Sequence, residues 1–242
     1  MDFITTYWAR LPGNLRGILW LLMGTLAFAV NDLFVKSLGQ TISPFQMAFF
    51  RYGIGVMLML PFFLKMGVSG LKTNRPGIHI ARLILACVAQ VGVYTSVVYL
   101  PLADATALAF SRILFTTVIA VIFLREIVSG RRWTATVAGF VGVVVMVRPG
   151  GQIDPVVFIA IGAACTFAIA NVLIRIMSST EPPNRILFYY QIGGIIVFLP
   201  PTVALWQTPP DLVSWLMALA IGVLTTVGMI GFIRGFVVGE AS

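Results

Sequence analysis

Apolar residues dominate this chain in long runs, separated by short stretches rich in Pro, Gly and basic residues. The runs predict eight helices, at about 17–37, 45–64, 78–99, 104–124, 133–148, 155–177, 185–205 and 212–238. Each approaches the ~20 residues that a helix rising 1.5 Å per residue needs to cross a hydrocarbon core of about 30 Å. The breaks have local causes. Pro44, Pro76, Pro101, Pro149, Pro182, Pro183, Pro209 and Pro210 fall between runs, where a missing N–H costs nothing. Glycines within the runs, as in GIGV at 53–56 and GFVGV at 139–143, favour close helix approach.

Composition agrees with lipid as the solvent. Hydrophobic residues make up 59% of the 242 and charged residues 10%, too little polar cover for a soluble domain of this size. The formal net charge of +8 excludes little alone, but its placement in short loops reads as topology rather than a nucleic-acid footprint. With the N-terminus inside, 12 of the 16 Lys and Arg fall on inner loops and span ends and 4 elsewhere, which predicts a cytoplasmic N-terminus. The segment 1–16 lacks a cleavage site, and Tyr7, Trp8 and Arg10 predict an interfacial stretch before the first span. Cys87 and Cys165, each inside an apolar run, read as small core residues. With them and a single loop histidine, His79, no metal site or cofactor is expected.

The chain also repeats itself. At an offset of 139, FAVNDLFVK at 28–36 lies over FAIANVLIR at 167–175, with Thr41 on Thr180, Pro44 on Pro183, Phe49 on Phe188, Gly55 on Gly194 and Leu60–Pro61 on Leu199–Pro200. At an offset of 136, Gly92 meets Gly228 and LADAT at 102–106 meets VGEAS at 238–242, with Glu240 in the place of Asp104. Five spans in the first unit, an odd number, invert the second, as in many secondary transporters. The predicted division is an N-terminal segment at 1–16, a first repeat at 17–150 and a partial second repeat at 151–242. By its own repeat, VGEAS is expected to open a ninth span followed by a tenth.

Residues 99–150 strongly resemble the EamA-type transporters of the drug/metabolite transporter superfamily. LPLADATAL opens the fourth span, LRE closes it, and GRRW, GFVGV and RPG follow; FFRYGIG, with Arg51, extends the likeness over nearly the whole chain. The resemblance implies an all-α integral membrane protein, eight helices of a ten-helix bundle built from two inverted five-helix repeats around a central cavity. It further implies alternating access and export of a small organic metabolite across a bacterial inner membrane. Arg125 departs from the family, which often has a small residue before that Glu, and helices nine and ten have no counterpart here. The alternatives are an incomplete, inactive transporter fragment or an intramembrane enzyme; the latter lacks any nucleophile–base pair. A homodimer is compatible with either membrane reading.

Charges buried in spans are expensive and usually face a cavity or a partner. Arg112 lies about 12 Å along the fourth span, either a cavity cation for an anionic or zwitterionic substrate or the partner of a buried acid. Arg51 is expected to pair with Asp32, with a substrate or gating role second. Asp32 and its counterpart Asn171 are candidate gate or coupling positions, and equally polar helix-end residues. Gln90, Tyr94, Ser111 and Tyr190 are candidate substrate contacts, or else interhelical hydrogen bonders; Tyr189 and Gln191 join them in the seventh span. Glu126 with Arg131 and Arg132 reads as a surface ion pair, and Trp20, Trp133, Trp206 and Trp215 as interface anchors.

Overall fold

Prolines and short polar side chains start the helices. Pro44, Pro76, Pro155 and Pro183 each open one, where the missing N–H would have had no partner. Ser43 accepts a bond from the Gln46 N–H at 3.3 Å, and Asp211 from the Ser214 N–H at 2.7 Å. In a computed structural model, which describes residues 12–125, 129–147, 154–178 and 180–240, eight helices result. They are α1 (Gly13–Leu38), α2 (Pro44–Leu71), α3 (Pro76–Tyr99), α4 (Leu102–Leu124), α5 (Gly130–Val147), α6 (Pro155–Ser178), α7 (Pro183–Ala204) and α8 (Leu212–Glu240). The expected interfacial stretch before residue 12, the Glu126 ion pair and the VGEAS terminus lie outside the described residues or side chains.

The protein is all-α, and among the described residues seven helices are long and apolar enough to cross a membrane; the apolar part of α5, Trp133–Val147, is shorter. Boundaries differ from the expected ones chiefly at α2, which runs on past Lys65 to Leu71. Gly67 within that extension has φ of 65°, a left-handed conformation that glycine adopts without Cβ strain, so the helix bends there. Arg125, at the αL cap of α4 with φ of 51°, occupies a position where a residue without Cβ would be easiest.

Packing follows the repeat. α1 lies along α8 and α6 along α3, while α2 packs against α7; advancing each number by five helices exchanges the first two pairs and maps the third onto itself. Small residues permit the approach: Gly231 rests on the backbone at Gly24, and Gly92 on the Ala163 side chain. α6 also buries a face under α4, with Val172 at 2% exposure. The equivalent residue on α1, Leu33, is 55% exposed because no described helix covers that face. Sequence neighbours α1 and α2 scarcely touch.

Candidate functional site

The crossing of α2 and α7 places equivalent residues of the two repeats against one another. Arg51 Nη2 donates to the Tyr190 hydroxyl at 3.1 Å, and these two residues are 139 positions apart, the repeat offset itself. One residue on, Tyr52 packs over Gly194 while its counterpart Gln191 packs over Gly55, the counterpart of Gly194. A pseudo-two-fold axis therefore passes through the Arg51–Tyr190 bond. A Cβ at Gly194 would overlap the Tyr52 ring, and one at Gly55 would displace the end of the Gln191 side chain.

Beside this axis lies a small cavity of about 40 Å³, lined by Arg51 and Met59 from α2, Gln191 from α7, and Thr225, Thr226 and Met229 from α8. It has room for about three waters. Two of its lining residues keep a buried polar atom without a hydrogen-bond partner, Arg51 Nη1 and Gln191 Oε1; Tyr52 OH, Tyr94 OH and Arg82 Nε are buried likewise, outside the lining. Such orphans are costly and rare in structural polar contacts. The Arg51 guanidinium stands 4.6 Å from the Tyr52 ring centre and Arg82 4.7 Å from that of Tyr190.

The expected site residues divide accordingly. Arg51, Tyr190 and Tyr94 meet at the axis, and Gln90 is buried one turn from Tyr94 on α3. Gln90 and Tyr94 are the 136-offset counterparts of Thr226 and Ile230, which line the cavity from α8. Ser111 is satisfied within its own helix, donating to the Leu108 carbonyl at 2.6 Å. Arg112 is not among the cavity-lining side chains; its exposed guanidinium lies 5.5 Å from the Phe167 ring on α6. Asn171 is half-buried on α6.

The expected Arg51–Asp32 pair does not form. Asp32 accepts from Asn31 at 3.3 Å, and its cationic neighbour is Arg112. The reason is topological: α1 turns to α8, where Thr225 donates to Asn31 at 3.2 Å, leaving α2 to meet α7. Neither Arg82 nor Glu181 stood out in the sequence. Arg82 is a basic residue near a span end and Glu181 sits in a proline-rich loop, yet both are buried, at 6% and 4% exposure. His79 is not in a loop but in the first turns of α3, buried against Glu181.

Both ends of the α2–α7 pair are tied. Where α7 begins, Arg185 Nε donates to the Gly70 carbonyl at 2.7 Å and Tyr189 OH to that of Leu71 at 2.8 Å. Glu181 accepts from Thr73 at 2.6 Å and from Arg185 at 2.7 Å, with His79 Nε2 at 3.9 Å. Burial pushes the Glu181 carboxyl up, but the Thr73 and Arg185 donors more than offset this and hold it below the ordinary glutamate range. Where α2 begins, Gln46 exchanges two bonds with the Gln207 backbone, at 2.8 and 3.0 Å, and Phe50 packs edge-on against Trp206 and Trp215. Trp206 and Trp215, expected as interface anchors, are thus also part of this closure. The repeat relates the two ends: Gln46 to Arg185, Phe50 to Tyr189, Ile42 to Glu181, and Trp215 to His79.

Comparison with known proteins gives the same picture of kinship. The EamA-like transporter family matches residues 15–148 and 154–242. An S-adenosylmethionine uptake transporter of Rickettsia prowazekii is 34% identical over 196 residues, covering 81% of this chain and 67% of that protein. A riboflavin transporter of Vibrio cholerae is 27% identical, covering 94% of this chain and 78% of its own. A pseudopaline exporter of Pseudomonas aeruginosa is 26% identical, covering 91% and 78%. One crystal structure shares the fold with a TM-score of 0.61 at 17% identity, over 95% of this chain and 84% of the other.

Proposed function

The chain belongs to the EamA-like transporter family, whose members carry small metabolites rather than catalyse reactions, and from that premise we propose a secondary transporter working by alternating access. Its two units are the repeats 17–150 and 151–242, related by the axis through Arg51 and Tyr190. The observation that carries this reading is a cavity beside that axis whose lining includes two buried polar atoms without a partner, Arg51 Nη1 and Gln191 Oε1. They are a donor and an acceptor open to a solute, one from each repeat.

The two tied ends are the gates. With both closed the cavity is occluded, and releasing one while holding the other exposes it to one side of the membrane. The first gate is Gln46 with Gln207 behind Phe50, Trp206 and Trp215; the second is Glu181 with Thr73, Arg185 and His79. The polar carbonyls at the end of α2 and the apolar stacking at the end of α7 make the gates chemically different although symmetry-related. Asp32 on α1, with Arg112 as its cationic neighbour, is the candidate coupling group. The distribution of Lys and Arg supports a bacterial-type inner membrane protein with a cytoplasmic N-terminus. Relatives named for uptake and for export both occur, so the export expected above gains no preference.

The test is counterflow in liposomes loaded in turn with amino acids, nucleosides, riboflavin and S-adenosylmethionine. The purified protein exchanges at least one of them faster than protein-free liposomes; no exchange of any compound by well-folded protein defeats the reading. Orientation is read in a cysteine-free background: Asn74→Cys labels from the cytoplasmic side and Thr208→Cys from outside, and the reverse pattern refutes the N-in arrangement.

A further inference from the structure

The centre of the bundle carries an unbalanced charge. Arg51 and Arg82 flank the same ring, their guanidinium carbons 5.8 and 4.7 Å from the centre of Tyr190. Arg82 is only 6% exposed. Among the described residues the ion pairs are those of Glu181 with His79 and Arg185, so no carboxylate compensates either arginine. What surrounds them is neutral: the Tyr190 hydroxyl on Arg51, the Ile186 carbonyl on Arg82 at 3.4 Å, and two tyrosine rings. A buried cation with no counter-ion is among the more expensive features of a protein interior. Both keep an unused buried donor, Nη1 of Arg51 and Nε of Arg82.

These donors belong to planar guanidinium groups, which recognise carboxylate and phosphate oxygens two at a time. Tyr52 adds its ring face and a buried hydroxyl next to Arg51. We propose that Arg51 and Arg82, from α2 and α3, form a subsite for the oxyanion of the transported solute, with the faces of Tyr52 and Tyr190 beside it. The subsite rests on the transporter reading and adds the class of solute: an organic molecule bearing a carboxylate or phosphate. Bound there, the anion neutralises the two cations while the protein is occluded. An empty occluded state keeps them unpaired and is disfavoured, which ties closure to the presence of cargo. Arg82 stands on α3 three residues after His79 of the second gate, so anion binding and gate closure share one helix.

The experiment compares nicotinate with its neutral isostere nicotinamide, and with inorganic phosphate, as stabilisers of the full chain in detergent. Nicotinate in excess raises the unfolding temperature by about 3 °C and nicotinamide does not. Stabilisation by phosphate but not nicotinate also supports an oxyanion subsite and assigns it to phosphorylated solutes. Arg51→Gln and Arg82→Gln abolish the shift, Arg51→Lys and Arg82→Lys keep part of it, and Arg131→Gln on the exposed start of α5 keeps it all. Equal responses of the wild type to nicotinate and nicotinamide, with none to phosphate, overturn the proposal and need no variant to fold. So does a shift that survives in the Arg51→Gln, Arg82→Gln double variant. Counterflow measured in parallel separates the two readings: flux without an oxyanion effect removes the subsite alone, and an oxyanion effect without flux of any solute removes transport alone.

Discussion

Arg51 and Tyr190 are the same position in the two halves of the protein, and they are hydrogen-bonded to each other at 3.1 Å. Symmetric positions meet only on a symmetry axis, so this bond locates the axis in the membrane-spanning bundle. The two residues are not the same chemically. The first repeat supplies a cation and the second a phenol, so this pair of equivalent positions carries one charge rather than two like charges opposed.

Tyr190→Phe keeps the ring over both arginines and deletes the acceptor for Arg51. A hydrogen bond to a charged donor is worth about 1.5–3 kcal/mol. Flux in the liposome assay is expected to fall about tenfold or more, with normal membrane insertion. Unchanged flux would show that the bond at the axis is dispensable.

Arg112→Ala tests the division between the axis and α4. Because its side chain lies over Phe167 and next to Asp32, away from the cavity lining, this variant is expected to retain the nicotinate-dependent stabilisation that Arg51→Gln loses. Loss of that stabilisation in Arg112→Ala would place Arg112 in the binding site after all.

The crossing of α2 and α7 depends on two glycines. Gly55→Leu drives a branched side chain into Gln191, and Gly194→Leu into Tyr52. Each is expected to destabilise the protein by about 1–3 kcal/mol through overpacking, read as a fall in unfolding temperature. Gly53→Ala, where a Cβ meets no neighbour within 4 Å, serves as the neutral control.

The second gate responds to pH with a definite sign. Glu181 has a lowered folded-state pKa, so its contribution is complete above the unfolded value near 4.3 and is lost as pH falls through the lower folded one. Labelling of Thr225→Cys from the cytoplasmic side is therefore expected to be slow at neutral pH and to accelerate in acid, as Glu181 and its neighbour His79 take up protons. Glu181→Gln removes the dependence and labels quickly throughout. A wild-type rate that does not change with pH would detach Glu181 from the gate.

The Gln46–Gln207 contact that ties the first gate involves no titrating side chain. Ile42 stands where the second repeat has Glu181, and Gln46 where it has Arg185. Opening at that end is expected to be indifferent to pH and to respond instead to Gln46→Ala, which breaks both bonds to the Gln207 backbone. Labelling from outside should then speed up several-fold, and an unaltered rate would remove Gln46 from the closure.

The helices, their proline starts, the lipid-facing character and the inverted repeat were legible in the sequence because each is a local or periodic property. Hydropathy needs no partner, and an offset of 139 can be counted before anything folds. Arg51, Gln90, Tyr94 and Tyr190 were legible as polar groups inside spans for the same reason. What they touch was not. Arg51 turned from Asp32 to Tyr190 because α1 packs on α8 while α2 packs on α7, a choice set by Gly24 against Gly231 and by Gly55 and Gly194 under opposing side chains. Arg82 and Glu181 read as ordinary loop-end charges, since position along the chain carries no record of burial. Only the docking of α3 and of the α2 end onto α7 took them out of water, and with that decided where the charge of this protein resides.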